Sequence, residues 1–261
     1  MRKTESRTSN IIFGFLILVM TLTGCLNLSI PNKIIRTSNN DVIKKANSLF
    51  PIESFTMVKQ QFVMSIKACP DTGDCESMTV GNVSATGSGF IIKSTEDTSY
   101  VLTAGHVCTP PRPNFEIDMS MLEIGYKVDL KTGYGREASA AILAIDTDND
   151  ICLLQASKRL GPALKISASD IMLHDEVYNM ASPAGLASSL AVPVFRGYYV
   201  GELDTLSIFS IPAVPGSSGS PIMNKDNEVI SLVSAAAVRF DEYAIGPRTK
   251  DLREFILAHL P

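Results

Sequence analysis

The chain has no basic run, only three histidines and no apolar stretch long enough to cross a bilayer, and each shortage removes a class of function. Without a cluster of Lys and Arg to meet phosphates, a nucleic-acid partner is disfavoured. The formal charge is −4, and removing residues 1–24, which carry Arg2, Lys3, Glu5 and Arg7, leaves −6. No pair of histidines has ligand spacing and there is no Cys-x-x-Cys, so no metal site is expected. Internal repeats are absent too. With 45% hydrophobic and 19% charged residues, nothing suggests disorder or fibres. The 261 residues suffice for one substantial globular unit or two closely packed halves.

The beginning of the chain reads as an export signal. A basic n-region with Arg2, Lys3 and Arg7 precedes the apolar run Ile11 to Met20 and then Leu22-Thr23-Gly24-Cys25. That run is shorter than the ~20 residues a spanning helix needs. The last four residues resemble the lipobox of bacterial lipoproteins, in which the chain is cut before the cysteine and its thiol is acylated. Residues 1–24 are then a signal peptide, Cys25 carries lipid, and the protein is exported and held at an envelope membrane through acyl chains. An ordinary secretory leader and an uncleaved anchor are the alternatives. Residues 25–55, with Pro31, Pro51 and a weakly amphipathic stretch from Asp41 to Phe50, form a tether or a cover over the first folded half.

From Phe62 onward the text is strand-like, with short apolar or alternating runs punctuated by Gly, Pro, Asn and Asp. Ile124, Tyr126, Val128 and Leu130 alternate with mostly polar residues, as in a half-buried strand. Leu206, Ile208, Phe209 and Ile211 form another apolar run. Asn224-Lys-Asp-Asn227 predicts a turn between Ser-Pro-Ile-Met223 and Val229-Ile-Ser-Leu-Val233. Only the end predicts a helix, with Leu252, Phe255, Ile256 and Leu260 on one face after Pro247. Many short strands followed by one helix suggest two antiparallel barrels.

Three stretches far apart carry chemistry: Thr-Ala-Gly-His106-Val-Cys, Asp-Asn-Asp150-Ile-Cys-Leu-Leu and Pro-Gly-Ser-Ser218-Gly-Ser-Pro. They place a base, an orienting carboxylate and a nucleophile in the chain order His, Asp, Ser, which differs from the orders of other serine-hydrolase folds. A serine hydroxyl needs a base to remove its proton, and a histidine near its ordinary pKa of about 6.5 is suited to that task. His174, in Leu-His-Asp-Glu, reads as a turn residue, and His259 belongs to the terminal helix. Among the neighbouring carboxylates, Asp150 directly precedes an apolar strand, whereas Asp146 and Asp148 read as solvated turn residues. Gly216 and Gly219 allow a tight turn that exposes Ser218 and aims the backbone N–H groups of Gly216 and Ser218 at a developing oxyanion.

These stretches, together with Thr86-Gly87-Ser88-Gly89-Phe90-Ile91-Ile92 and Tyr100-Val-Leu-Thr-Ala-Gly-His106-Val, resemble the chymotrypsin-fold serine proteases. The likeness is greatest to the bacterial branch with the high-temperature-requirement proteases and glutamyl endopeptidases, and it runs from about Met64 to Leu260. The resemblance implies an all-β fold of two antiparallel six-stranded barrels with a C-terminal α-helix. The N-terminal barrel is expected over about 56–160, the C-terminal barrel over about 161–247 and the helix over about 248–260. It also implies a cleft between the barrels, a protein or peptide substrate and no cofactor. The peptide-binding domain common in high-temperature-requirement proteases is not expected, because the chain stops at Pro261.

Ser234 matches the family serine beside the carboxylate and on the substrate-binding strand. With Pro212, Ala213, Ala235 and Ala236 it is expected to line the substrate pocket. The loop Ile211-Pro-Ala-Val-Pro215 lacks the acid that would favour Lys or Arg, so small or medium apolar residues are the expected specificity. Trypsin-like zymogens place an aspartate just before the nucleophile; Ser217 stands there, so no activating cut is expected. If Cys25 is acylated, Cys69, Cys75, Cys108 and Cys152 remain, an even number in an oxidising compartment. Cys69 and Cys75 enclose a polar loop and are the preferred bridge. Cys108 and Cys152 each lie two residues beyond a triad member, and so approach each other either bonded or as buried thiols. Two other readings stay open: an inactive protease-fold binding module, and an esterase using the same triad. Nothing in the sequence points to an oligomeric state.

Overall fold

Residues 49–68, 75–110, 122–188, 191–237 and 240–261 are described by the structure, a computed structural model. The expected signal peptide over 1–24, the expected lipid site Cys25, most of the expected tether and Cys69 lie outside the described residues.

Alternation at the first barrel's strands follows from which face meets the core. In β4 (Leu122–Thr132), Val128 and Leu130 are buried while Lys127, next to Val128, is exposed to solvent. Tyr126, expected on the inner face, is 54% exposed, because β1 (Phe55–Ala68), β2 (Glu76–Ser94) and β4 run on past the end of the barrel. β3 (Ser99–Ala104) and β6 (Ile151–Ala156) are nearly all buried and pair antiparallel, with β5 (Glu137–Asp146) beyond β6. The six strands close into a barrel in the order β1-β2-β3-β6-β5-β4. A single-turn helix, α1 (Gly105–Cys108), follows β3 directly.

The second half forms one antiparallel sheet of seven strands. In chain order they are β7 (Glu176–Met180), β8 (Val194–Leu203), β9 (Leu206–Phe209), β10 (Pro221–Met223), β11 (Val229–Leu232), β12 (Ala235–Ala237) and β13 (Phe240–Pro247). The sheet order is β11-β10-β7-β8-β9-β13-β12, so its two edges are β11 and β12. Those edges are consecutive in the chain, separated only by Val233 and Ser234, and Gly246 on β13 packs against the Leu232 carbonyl. The run 229–237 is therefore one strand broken in the middle, and counting it once gives the six expected. The break lets one half close each edge of the sheet.

The expected hairpin after the nucleophile segment is present. Asn224 Oδ1 accepts N–H bonds from Asp226 and Glu228 at 2.9 Å each, and Asn227 takes the left-handed φ of 59° that such a turn demands. The terminal helix α2 (Thr249–His259) buries Leu252 and Phe255. They join one apolar cluster with Phe55, Phe90 and Leu153 of the first barrel and Leu232 of the second. A continuous core thus ties both barrels to the helix, and what it holds in register is the seam between them.

Candidate active site

α1 carries His106 at the end of β3, where the first barrel opens toward the second. Opposite it, the turn between β5 and β6 presents Asp150 at φ 55°, a conformation that costs a non-glycine residue energy and is held by its surroundings. Asp146 supplies that restraint: Oδ1 accepts the N–H groups of Asp148 and Asn149 at 3.0 Å each, and Oδ2 accepts Asn149 Nδ2 at 2.8 Å. Burial acts to raise the Asp146 pKa, but these donors outweigh it and hold the carboxyl below its ordinary value. Asp146 is thus part of the turn's framework, while Asp150 is the carboxylate that reaches the histidine.

Asp150 grips His106 twice. Its Oδ1 accepts the backbone N–H of His106 at 2.7 Å, and its Oδ2 lies 2.9 Å from Nδ1. A carboxylate at Nδ1 favours the tautomer with the proton there and leaves Nε2 to accept one. Cys108 and Cys152 are bonded, so a disulfide joins the helix bearing His106 to the strand that starts after Asp150. Cys75 is also disulfide-bonded; its expected partner, Cys69, lies outside the described residues.

Ser218 sits in the loop between β9 and β10, partly exposed and flanked by Gly216 (φ 95°) and Gly219 (φ 83°). Glycine tolerates both angles without the clash a Cβ would bring. The peptide planes around Ser218 are fixed by bonds to their carbonyls. Ala184 N–H donates to the Pro215 carbonyl at 2.7 Å, so the N–H of Gly216, on the opposite edge of that trans peptide, faces away from Ala184. Likewise, Ser220 N–H donates to the Ser217 carbonyl at 3.0 Å, which turns the Ser218 N–H the other way. Among the described residues neither Gly216 N–H nor Ser218 N–H is engaged in a hydrogen bond. Two free donors beside one hydroxyl are what an oxyanion needs.

Sequence reasoning missed the residue that secures this loop from the other barrel. Ser88 on β2 is fully buried; its Oγ donates to the Gly216 carbonyl at 2.8 Å and accepts the Ser182 N–H at 2.9 Å. Its backbone N–H donates to the Ser218 carbonyl at 2.7 Å, and its own carbonyl accepts Thr103 Oγ1 at 2.7 Å. Behind the loop, Asn179 Nδ2 donates to Ser220 Oγ at 2.7 Å. Ser88 stands within the glycine-bearing run from Thr86 to Ile92, but a bond across 128 residues leaves no local signal. Ser217, buried at the zymogen position, accepts the Val214 N–H at 3.5 Å and so closes the loop on itself.

A pocket of about 260 Å³ opens beside Ser218, walled by Ala213, Val214, Pro215, Val233, Ala235 and Ala236. Of the five residues read as pocket-lining, Ala213, Ala235 and Ala236 are among its walls, and Pro212 and Ser234 are not. Pro212 is exposed on the loop's outer side, since alternation about buried Ile211 and Ala213 turns it outward. Ser234 Oγ is buried without a hydrogen-bond partner, so it does not bond Asp150, which already has His106 on both oxygens. No Ser218 Oγ to His106 Nε2 hydrogen bond is formed among the described residues, although the two barrels bring both side chains to the same seam. His174 lies in an exposed turn at φ 68°, and His259 Nδ1 contacts the Phe255 carbonyl at 2.9 Å, so neither enters the site.

A closed barrel, a second sheet and a terminal helix, with histidine and aspartate on the first and a glycine-flanked serine on the second, define the chymotrypsin-like architecture. The chain belongs to the family of the trypsin-like peptidase domain, whose model matches residues 87–232. Among curated proteins, a DegP-like periplasmic serine endoprotease of Halomonas elongata is 29% identical over 166 residues, covering 60% of this chain and 31% of that one. The serine protease HhoB of Synechocystis is 28% identical over 170 residues, covering 62% and 36%. The chain therefore spans about a third of the length of the curated relatives it matches. Among solved structures, the serine endoprotease from Yersinia pestis superposes with a TM-score of 0.56 at 15% identity, covering 82% of this chain and 65% of that one. That likeness is one of fold.

Proposed function

We propose that the chain is an exported serine endopeptidase in which Ser218 attacks the peptide carbonyl, His106 carries the proton and Asp150 orients the histidine. The observation that carries this reading is the double hold of Asp150 on His106, on its backbone N–H at 2.7 Å and at Nδ1 at 2.9 Å. It leaves Nε2 free to take the Ser218 proton, a contact that closes in the substrate complex. The developing oxyanion is received by the N–H groups of Gly216 and Ser218, whose directions are set before substrate arrives. The amine leaves with the proton from His106, and water then hydrolyses the acyl-enzyme. Apart from Ser218, the small pocket is walled by alanine, valine and proline, which supports cleavage after small or medium apolar residues.

Export is supported by the leader, and the matched relative from Halomonas elongata is described as periplasmic. In the same reading Cys25 is acylated and tethers the domain to an envelope membrane. Among the described residues no helix is long and apolar enough to cross one. The test is Ser218→Ala in protein lacking residues 1–25. Turnover of an apolar peptide library is expected to fall by about four to six orders of magnitude with the fold intact. Undiminished proteolysis by that variant overturns the assignment.

A further inference from the structure

A second cleft, of about 700 Å³, reaches the nucleophile loop from the first barrel. It shares no wall with the small apolar pocket, and Gly87 and Ser182 form the end nearest the reacting serine. A Cβ on Gly87 would lie 3.0 Å from the Ser218 carbonyl, and Ser182 is bonded through Ser88 to the loop itself. A peptide whose residue before the scissile bond fills the apolar pocket must carry its following residues past Ser218.

Its walls are unusual for a chain of net charge −4. Lys59, Lys127, Lys131 and Lys158 line it against only two carboxylates, Asp129 and Glu137. The strand register explains the concentration: Lys59 on β1 stands opposite Asp129 on β4, and Lys131 on β4 opposite Glu137 on β5, so their side chains share the barrel's outer face. Both acids are already engaged, Asp129 by Lys127 at 2.8 Å and Glu137 by Lys131 at 2.9 Å. The Lys131 ammonium holds Glu137 below the ordinary carboxylate range, so that acid stays ionised. Two exposed ammonium groups, Lys59 and Lys158, stand outside those two ion pairs, Lys158 near enough to Glu137 to favour its ionised form, and the cleft carries an excess of two positive charges.

We infer that this cleft binds the segment following the scissile bond and selects acidic side chains there, with Lys59 and Lys158 as the groups that meet the substrate carboxylates. The inference rests on the endopeptidase reading, because only an attacked peptide has a leaving segment to place. It adds a second determinant to specificity: an apolar residue before the bond, and one or two acidic residues after it.

The test uses peptides with Ala before the scissile bond and Glu, Gln or Lys at the second and third positions after it. Hydrolysis of the Gln peptide that disappears in Ser218→Ala reports on the endopeptidase reading; the Glu-to-Gln ratio of kcat/KM reports on the cleft. That ratio is expected to be about fivefold at low salt, to shrink toward one at ~0.5 M NaCl, and to reverse for Lys. In the double variant Lys59→Gln, Lys158→Gln the ratio is expected to fall close to one. Fluorescence anisotropy of labelled Glu and Gln peptides on Ser218→Ala protein gives the same comparison as binding, independent of turnover. Equal handling of Glu and Gln peptides by protein with both lysines in place, or a preference that survives their replacement, overturns the inference while leaving the endopeptidase reading in place.

Discussion

At the scale of single residues, the proposed base, carboxylate and nucleophile stood out in the sequence because each sits in a short run with its own local grammar. Asp150 before an apolar strand and Ser218 between glycines need no knowledge of distant partners. Ser88 does: its hydroxyl bridges the Gly216 carbonyl and the Ser182 N–H, which belong to the other barrel. Its position near Phe90 in the same strand gave no sign of that task. Removing the hydroxyl leaves the Gly216 carbonyl without its buried donor and the Gly216–Ser217 peptide held through the Ser217 N–H, which donates to the Val214 carbonyl at 2.9 Å. Ser88→Ala is expected to lower kcat about tenfold or more with KM nearly unchanged, since the interaction lost matters when the oxyanion forms. A rise in KM at constant kcat would instead mean that Ser88 shapes substrate binding.

At the scale of elements, strands and the final helix were readable from periodicity, while their closure was not. The break at Val233 and Ser234 divides one apolar strand between the two edges of the second sheet, a matter of curvature that alternation does not encode. The pairing of Cys108 with Cys152 is similar, because sequence put each two residues past a site residue and only the antiparallel register of β3 and β6 brings them together. That bridge closes a sequence separation of 44 residues and is almost fully buried, with Cys108 at 2% and Cys152 at 0% exposure. Replacing both with alanine is expected to cost about 2–4 kcal/mol. Thermal unfolding followed by circular dichroism should show Tm lowered by roughly 5–15 °C. Activity should fall as well, because α1 then rests on the hydrogen bonds of Asp150, the bond from Gln60 Nε2 to the Cys108 carbonyl and the packing of Val107. Unchanged Tm and turnover in the double variant would show that packing by itself holds histidine against aspartate.

At the scale of the whole molecule, the site straddles two barrels and is nevertheless held together by contacts internal to the folded domain. In zymogen-type relatives a newly cut N-terminus pairs with an aspartate before the nucleophile and so shapes the oxyanion turn. Here that position is Ser217, which closes onto Val214, and among the described residues the turn is secured by Ser88, Ala184 and Ser220. In the proposed reading, an N-terminus held at a membrane through Cys25 is compatible with such a design, since the turn's bonds come from within the folded domain. The protein taken from envelope membranes is therefore expected to react with a fluorophosphonate at Ser218 while still beginning at an acylated Cys25, as read by intact mass spectrometry. Cys25→Ser should release it from the membrane fraction, and the labelling rate of the released protein should stay within about twofold, because Cys25 takes no part in the chemistry. A labelled species that always begins downstream of Cys25, with the longer form inert, would show that a second cut between Cys25 and Met64 assembles the site.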